Sequence, residues 1–475
     1  MAIRAVRCFQ VSGHDEGTLS PEERQAQMLD IYPEFAARGP VKASDRIEAI
    51  YVEIETDEGA RGLFGPIFAE SAAIIRAKLA PHLIGRDPLA GEYLWDILYR
   101  QDRHARKGNQ MLAISALDNA LWDLRGKLLG RPVYRLLGGP TREHVLCYAS
   151  MLGHSHDPGL IREQAQAMVA AGYTAQKWFF RYGPGDGLPG MERNVAMVRA
   201  VREAVGPNIE IMLDAFMGWD ATYTIRMLER IADYRPRWME EPVPPDRVGD
   251  FAMIRRATTI PIATGEHEYT RWGFLGLLQA EAVDVIQADP DWCGGISELV
   301  KIGTLASAFG RQVVPHGHSI HAAVHVIASQ SPATFPMAEY LLRYQPGKQY
   351  FHTETMQPEH GIIALPTAPG LGFAIDDAKV EERIELLSLS FVRGRFAMVF
   401  ELWDEEAAFL IDTYSDMNDA LHVVAATCRE HGESAVKGWR LLRSTPSGES
   451  IIHIAQGMDL VHLATGDRLL RSHTD

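Results

Sequence analysis

From Val145 onward, short apolar runs alternate with amphipathic helical segments. The runs predict strands at residues 145–152 (VLCYASML), 175–180 (AQKWFF), 209–216 (IEIMLDAF), 237–242 (RWMEEP), 260–266 (IPIATGE), 283–289 (VDVIQAD), 311–317 (RQVVPHG) and 333–340 (ATFPMAEY). Continuous apolar runs of this length, separated by helices, suit parallel strands covered on both faces. Eight such strands predict a (β/α)8 barrel over about residues 141–340. The alternative is an open doubly wound sheet. That fold usually carries a glycine-rich phosphate loop after its first strand, and ASMLGHSHD is not one.

Residues 1–140 read differently, as α+β. IRAVRCFQV and EAIYVEIETDEGARGLFG predict strands with turns at DEG and GARG, and the polar segment SGHDEGTLSPEERQAQ between them reads as a loop. Ile114, Leu117, Leu121 and Leu124 recur at helical spacing within 111–129. A turn-rich return segment, about 341–377, is expected to complete this first domain. Residues 391–475 predict a separate small α+β module of order ββαββ, with no catalytic constellation.

The chain has 475 residues, enough for two or three domains. A net charge of −15 argues against nucleic acid as a partner, because phosphate binding requires a basic surface. Cys8, Cys147, Cys293 and Cys428 are scattered and form no CxxC pair, so a disulfide or zinc framework is not expected. No window is apolar enough for a membrane span, and the N-terminus lacks a signal-peptide core. A cytoplasmic protein with no membrane partner is the expectation.

The chemistry gathers at strand ends. Asp214, Glu240 and Glu266 close three successive strands at equal spacings of 26 residues, about one βα unit. In a closed parallel barrel such ends converge on one mouth. Three converging acids repel one another unless a cation joins them, and Mg²⁺ suits an all-oxygen set. Glu241 rivals Glu240, but strand alternation lets only one face the mouth; Glu268 is a weaker rival to Glu266. Asp289 and His316 end the next two strands, 27 residues apart, and suit a dyad in which the carboxylate makes the imidazole a general base. Lys177, on the second strand, reads either as a solvated lysine or as a substrate-facing amine, and Arg181 follows it in a loop, where it is a candidate to bind an anionic group of the substrate. Glu339 ends the eighth strand, where it would serve as acid or hydrogen-bond donor opposite the base. His14 and Arg38 lie in the N-terminal loop region. His316, His318, His321 and His325 raise zinc as an alternative, but no HExxH accompanies them.

Over residues 1–377 the chain resembles the enolase superfamily, in its mandelate racemase and acid-sugar dehydratase branch, and most of all the rhamnonate-dehydratase-like subgroup. The resemblance is carried by SALDNALWDLRGKLLGRPVYRLLGG, MLDAF, WMEEP, TGEHEY, QADPDWCGGISELVKI and VVPHG. It implies a capping domain over a modified barrel and one Mg²⁺ per active site on Asp214, Glu240 and Glu266. It also implies an Asp289–His316 dyad, an enediolate-stabilising Glu339, and substrate contacts from His14 and Arg38. Assembly into a homo-oligomer is expected by analogy alone. Racemases of this branch carry Lys-x-Lys on the second strand, the second lysine being a base. Here the tripeptide is Lys177-Trp178-Phe179, so one base is evident, and elimination is easier to build than racemisation. The expected function is dehydration of an aldonic acid to a 2-keto-3-deoxy acid. The alternatives are an epimerase or cycloisomerase of the same superfamily, a non-catalytic binding protein, and a zinc hydrolase.

Overall fold

Eight parallel strands follow one another through the first of two units into which the chain divides, Met1–Ser388 and Leu389–Asp475. The computed structural model describes residues 1–15, 23–36, 45–390, 399–404, 409–414, 417–444 and 451–465. In the first unit an antiparallel sheet precedes the barrel: β1 (Ile3–His14), β2 (Arg46–Thr56) and β3 (Arg61–Ile67). The barrel strands are β4 (His144–Ser150), β5 (Ala175–Phe179), β6 (Glu210–Asp214), β7 (Trp238–Glu240), β8 (Ile262–Thr264), β9 (Val285–Ile286), β10 (Gln312–Val313) and β11 (Ala338–Leu341). Their hydrogen-bonded order runs from β10 back through β4 to β11. At the remaining gap the Val313 N–H donates to the Thr334 carbonyl at 2.7 Å. The expectation of a modified barrel with a capping domain is borne out. The modification follows β11, where a single helical turn, Gln345–Lys348, replaces a full eighth helix. Then β12 (Ile362–Ala364) pairs antiparallel with β4, and β13 (Glu382–Ser390) joins the free edge of β1.

The barrel interior explains where the chemistry can stand. Tyr148, Ala175, Met212, Trp238, Ala263, Val285, Val314 and Met337 form one buried cluster, with one contribution from each strand or the residue beside it. Inward-facing positions on a strand recur every second residue. Two residues beyond Ala175, Met212, Trp238, Val314 and Met337 stand Lys177, Asp214, Glu240, His316 and Glu339. A packed apolar layer thus supports a charged layer above it, at the C-terminal strand ends.

The helix predicted over 111–129 spans Asn109–Leu128 and ties cap to barrel. Its apolar residues Ile114, Leu117, Leu121 and Leu124 are buried as expected. So are Asp118, Asn119 and Asp123, and each has a defined backbone partner. Asp123 accepts from the Leu63 N–H at 2.7 Å on the capping sheet. Asp118 accepts from Ser297 N–H at 2.9 Å. Asn119 donates to the Pro290 carbonyl at 2.9 Å, anchoring the loop that carries Asp289. Gly62 permits the close approach, since a methyl there would stand 2.5 Å from Leu124 Cβ.

The second unit is an antiparallel sheet of β14 (Val399–Asp404), β15 (Phe409–Tyr414), β16 (Trp439–Ser444) and β17 (Ile451–Gln456), in the order β15-β14-β16-β17. Helix Met417–His431 and a further helix, Gly457–Thr465, pack Val424, Leu460 and Val461 against Leu402 and Leu441. The final helix extends the ββαββ order expected from the sequence. No helix among the described residues is long and apolar enough to cross a membrane.

Candidate active site

Lys177 is the buried positive charge at the barrel mouth. Its Nζ lies 2.8 Å from Glu339 Oε1 and 3.3 Å from Asp214 Oδ2, and it also contacts Glu240 Oε1. Burial works against this ammonium, but the charges of Glu240 and Glu339 outweigh it and hold the pKa well above the ordinary lysine range. It is therefore a fixed cation and not a solvated lysine.

Parallel register brings the acids together. Asp214 and Glu240 are direct partners across β6 and β7. Asp214 accepts from Phe216 N–H at 2.8 Å, and Glu240 from the Trp238 indole at 3.0 Å. Burial, offset in part by Lys177 at the first two and by His316 at the third, leaves Asp214 raised to about 6, Glu240 to about 8 and Glu266 to about 7. Glu339 goes the other way. Burial would raise it, but Lys177 and His316 hold it below the usual carboxylate range. Its Oε2 accepts from Gly317 N–H at 2.9 Å, and a Cβ on Gly317 would meet the Glu339 side chain at 2.8 Å.

His316 and Asp289 meet as the strand-end spacing predicts. His316 Nδ1 is 2.7 Å from Asp289 Oδ2, and its Nε2 is 3.7 Å from Glu266 Oε2. Burial disfavours the imidazolium, yet Glu266 and the Asp289 hydrogen bond raise the pKa to about 10.

Among the remaining candidates, His14 ends β1 and pairs with Glu381 Oε2 at 2.7 Å, about half exposed. Arg181 donates to the Ala36 carbonyl at 3.2 Å and stands 3.7 Å from Asp30. Among the described residues, neither is hydrogen-bonded or ion-paired to the acids or the dyad. Arg38 lies outside the described residues. The four histidines of the zinc alternative disperse: His321 is 3.3 Å from the Glu354 carbonyl, and His325 accepts from Tyr134 N–H at 3.1 Å.

Alternation misplaces Glu241. Its φ of 36° breaks the strand after Glu240, so both glutamates are buried. Glu241 accepts from Thr264 Oγ1 at 3.0 Å and pairs with His267 Nδ1 at 2.9 Å. Two groups of described residues bring three possible ligand atoms within 4.8 Å of one another: Glu241–Glu266–His267 and Asp289–Asp291–His318. Glu266 is the one sequence-predicted ligand in either group. Asp214 and Glu240 have the Lys177 ammonium against them instead. The sequence signals for the additional residues are slight: a histidine directly after Glu266, and an aspartate two residues after Asp289.

Residues 29–138 match the N-terminal domain of mandelate racemase/muconate lactonizing enzyme, and 160–379 match an enolase C-terminal domain-like model. An L-rhamnonate dehydratase of Saccharopolyspora erythraea is 33% identical over 392 residues, covering 79% of this chain and 97% of the relative. A D-galactarolactone cycloisomerase of Agrobacterium fabrum is 35% identical over 358 residues, covering 72% and 92%. The crystal structure of rhamnonate dehydratase from Gibberella zeae complexed with Mg superposes with a TM-score of 0.70 at 31% identity, covering 81% of this chain and 96% of that one.

Proposed function

This chain belongs to the mandelate racemase/muconate lactonizing enzyme family of the enolase superfamily, and from that premise we propose that it is a Mg²⁺-dependent dehydratase of an aldonic acid sugar. The observation that carries the choice of reaction is the state of Lys177. An ammonium buried against three carboxylates keeps its proton, and the residue two positions on is Phe179. His316 is then the base we place at C2 among the described residues, and a single base there supports elimination more readily than inversion at carbon.

The donor set fits a hard cation. Asp214, Glu240 and Glu339 crowd one ammonium, Glu266 stands against His316, and Asp214, Glu240 and Glu266 have raised proton affinities. Asp214, Glu240 and Glu266 would hold Mg²⁺, leaving Glu241 to brace His267. When bound, the ion supplies positive charge beside the substrate carboxylate, which acidifies the neighbouring C–H bond.

The chain's own groups perform the proton transfers. Asp289 accepts the Nδ1–H hydrogen bond of His316; the Glu266 charge that favours the imidazolium would be neutralised by a bound cation, so that the ring can lose its Nε2 proton and present a lone pair to the substrate C2 proton. As the C2–H bond breaks, charge spreads onto the carboxylate. Lys177 is the group placed to donate a hydrogen bond to it; Glu339, held as a carboxylate by Lys177 and His316, orients that ammonium and would donate only after taking up a proton. His316, now carrying the C2 proton, delivers it to the departing 3-hydroxyl. The C3–O bond breaks, C2=C3 forms and water leaves. One imidazole serving both steps requires syn elimination. The enol then tautomerises to a 2-keto-3-deoxy acid.

Turnover of a panel of mono- and diacid sugars in D₂O with Mg²⁺ tests this reading. The expected product is a 2-keto-3-deoxy acid carrying deuterium at C3. Deuterium entering C2 with inversion and no loss of water would establish an epimerase instead. Lactone rearrangement without water loss would favour the second reading, a cycloisomerase, which the Agrobacterium relative supports.

Metal binding should be tied to pH. The three acids bind protons more tightly folded than unfolded, so metal-free stability falls as pH rises from the ordinary carboxylate range through about 6 to about 8. His316, raised to about 10, contributes with the same sign. Mg²⁺ replaces those protons. The gain in Tm from millimolar Mg²⁺ should therefore be larger at about pH 8.5 than at about pH 6. A gain independent of pH would remove the protonated acid cluster from the account.

A further inference from the structure

Two residues beyond the base, the same loop carries a second imidazole held in the same manner. His318 Nδ1 lies 2.6 Å from Asp291 Oδ2, just as His316 Nδ1 lies 2.7 Å from Asp289 Oδ2. Both pairs bridge the loops that follow β9 and β10. They are laced together: Asp291 N–H donates to Asp289 Oδ1 at 2.7 Å, and His318 N–H to Asp289 Oδ2 at 3.1 Å. Lys348 Nζ donates to the His318 carbonyl at 2.7 Å and stands 4.0 Å from Asp291 Oδ2. The His318 ring packs against Trp292 at 5.0 Å and Phe68 at 5.6 Å, and Trp292 also carries the His316 ring at 4.9 Å.

The two imidazoles face different surroundings. His316 Nε2 looks toward Glu266. His318 meets Phe68, which follows capping strand β3, so it stands where barrel and cap adjoin. With Nδ1–H given to Asp291, Nε2 carries a lone pair, and it has no partner among the described residues. The side chain is 21% exposed. Burial, then the charge of Lys348, lowers its pKa, which keeps the ring neutral. Beside it the Trp292 indole N–H is buried without a partner among the described residues.

We propose that His318 Nε2 accepts a hydrogen bond from a substrate hydroxyl beyond the two reacting carbons, and thereby selects the sugar. The proposal rests on the dehydratase reading for the placement of the substrate. With the carboxylate at Asp214, Glu240 and Glu266 and C2 at His316, the rest of the chain has the cap side to occupy. A hydroxyl offers a hydrogen to Nε2 and an oxygen to the Trp292 N–H. A chain lacking it leaves both unpaired, which is how a polar site rejects a deoxy analogue.

The test is calorimetric titration of the full-length, Mg²⁺-saturated protein with hexonates and their single-deoxy forms at O4, O5 and O6. Wild type should bind one deoxy form about tenfold or more weakly than its parent. His318→Phe keeps a ring on Trp292 and Phe68 and should bring the parent down to the level of that deoxy form, leaving the deoxy form unchanged. His318→Gln retains an acceptor and should restore part of the gap. Should His318→Phe fold poorly, His318→Phe with Asp291→Asn removes the unpaired buried acid and serves in its place. An unchanged gap in the phenylalanine variant, or equal losses on parent and deoxy form, overturns the proposal. Turnover is read separately. A wild type showing the gap but forming no 2-keto acid overturns the dehydratase reading and leaves His318 standing. A protein that binds none of the series overturns both.

Discussion

His316→Asn should lower turnover by about a hundred- to ten-thousandfold, the range expected when a positioned general base is removed, while Mg²⁺ affinity stays close to that of wild type. Asparagine keeps a donor for Asp289 Oδ2, which now sits 2.7 Å from His316 Nδ1, so the surrounding loops have no cause to move. It cannot take a proton at the position of Nε2. Of the acids proposed to hold the metal, Glu266 is the one that pairs with His316 among the described residues, at 3.7 Å. Isotope exchange at C2 should vanish together with water loss, since both require the same proton abstraction. Full activity in this variant would remove the dyad from the mechanism. Lost Mg²⁺ binding would make His316 a structural partner of Glu266 instead of the base.

The second large effect is on stability. Lys177→Met should destabilise the metal-free protein by about 3–5 kcal/mol, the range for removing one partner of a buried ion pair. Lys177 is 1% exposed, and its ammonium neutralises a pocket in which Asp214, Glu240 and Glu339 are almost completely buried. Methionine has a similar length but leaves those acids without a cation. Urea unfolding in a chelator should show the loss, and millimolar Mg²⁺ should recover much of it by restoring positive charge. Equal urea midpoints for variant and wild type in chelator would mean that the acids are already neutral and Lys177 contributes little. The two substitutions separate two proposed roles in one charged layer: His316 would move a proton, and Lys177 would allow the layer to exist.

Much of this layer was legible from spacing alone. Asp214, Glu240, Asp289, His316 and Glu339 each end an apolar run, and a parallel barrel turns that regularity into proximity. Lys177 was legible as a strand-end amine, but not as the counter-ion of three acids, because its partners come from three other strands. Glu241 was misread for a local reason: strand alternation fails where the backbone turns to a φ of 36°. The Asp291–His318 pair was hidden because both residues lie just past strands of two residues, β9 and β10, where period-two reasoning has no purchase. Asp118, Asn119 and Asp123 look like the polar face of an amphipathic helix. They are buried because their partners are backbone groups of the cap and the barrel, which no helical pattern encodes.

The edge of β1 has a consequence for how the chain is made. Ile3–His14 leaves the ribosome well before one of its two neighbours, Glu382–Ser390, which is among the last parts of this unit. At ordinary translation rates the roughly 370 residues between them take about 20 to 70 s to synthesise. During that interval β1 can pair with β2 while its other side presents open N–H and C=O groups, an invitation to pair with a strand from another nascent chain. The yield of soluble protein should thus depend on what shields that edge during translation.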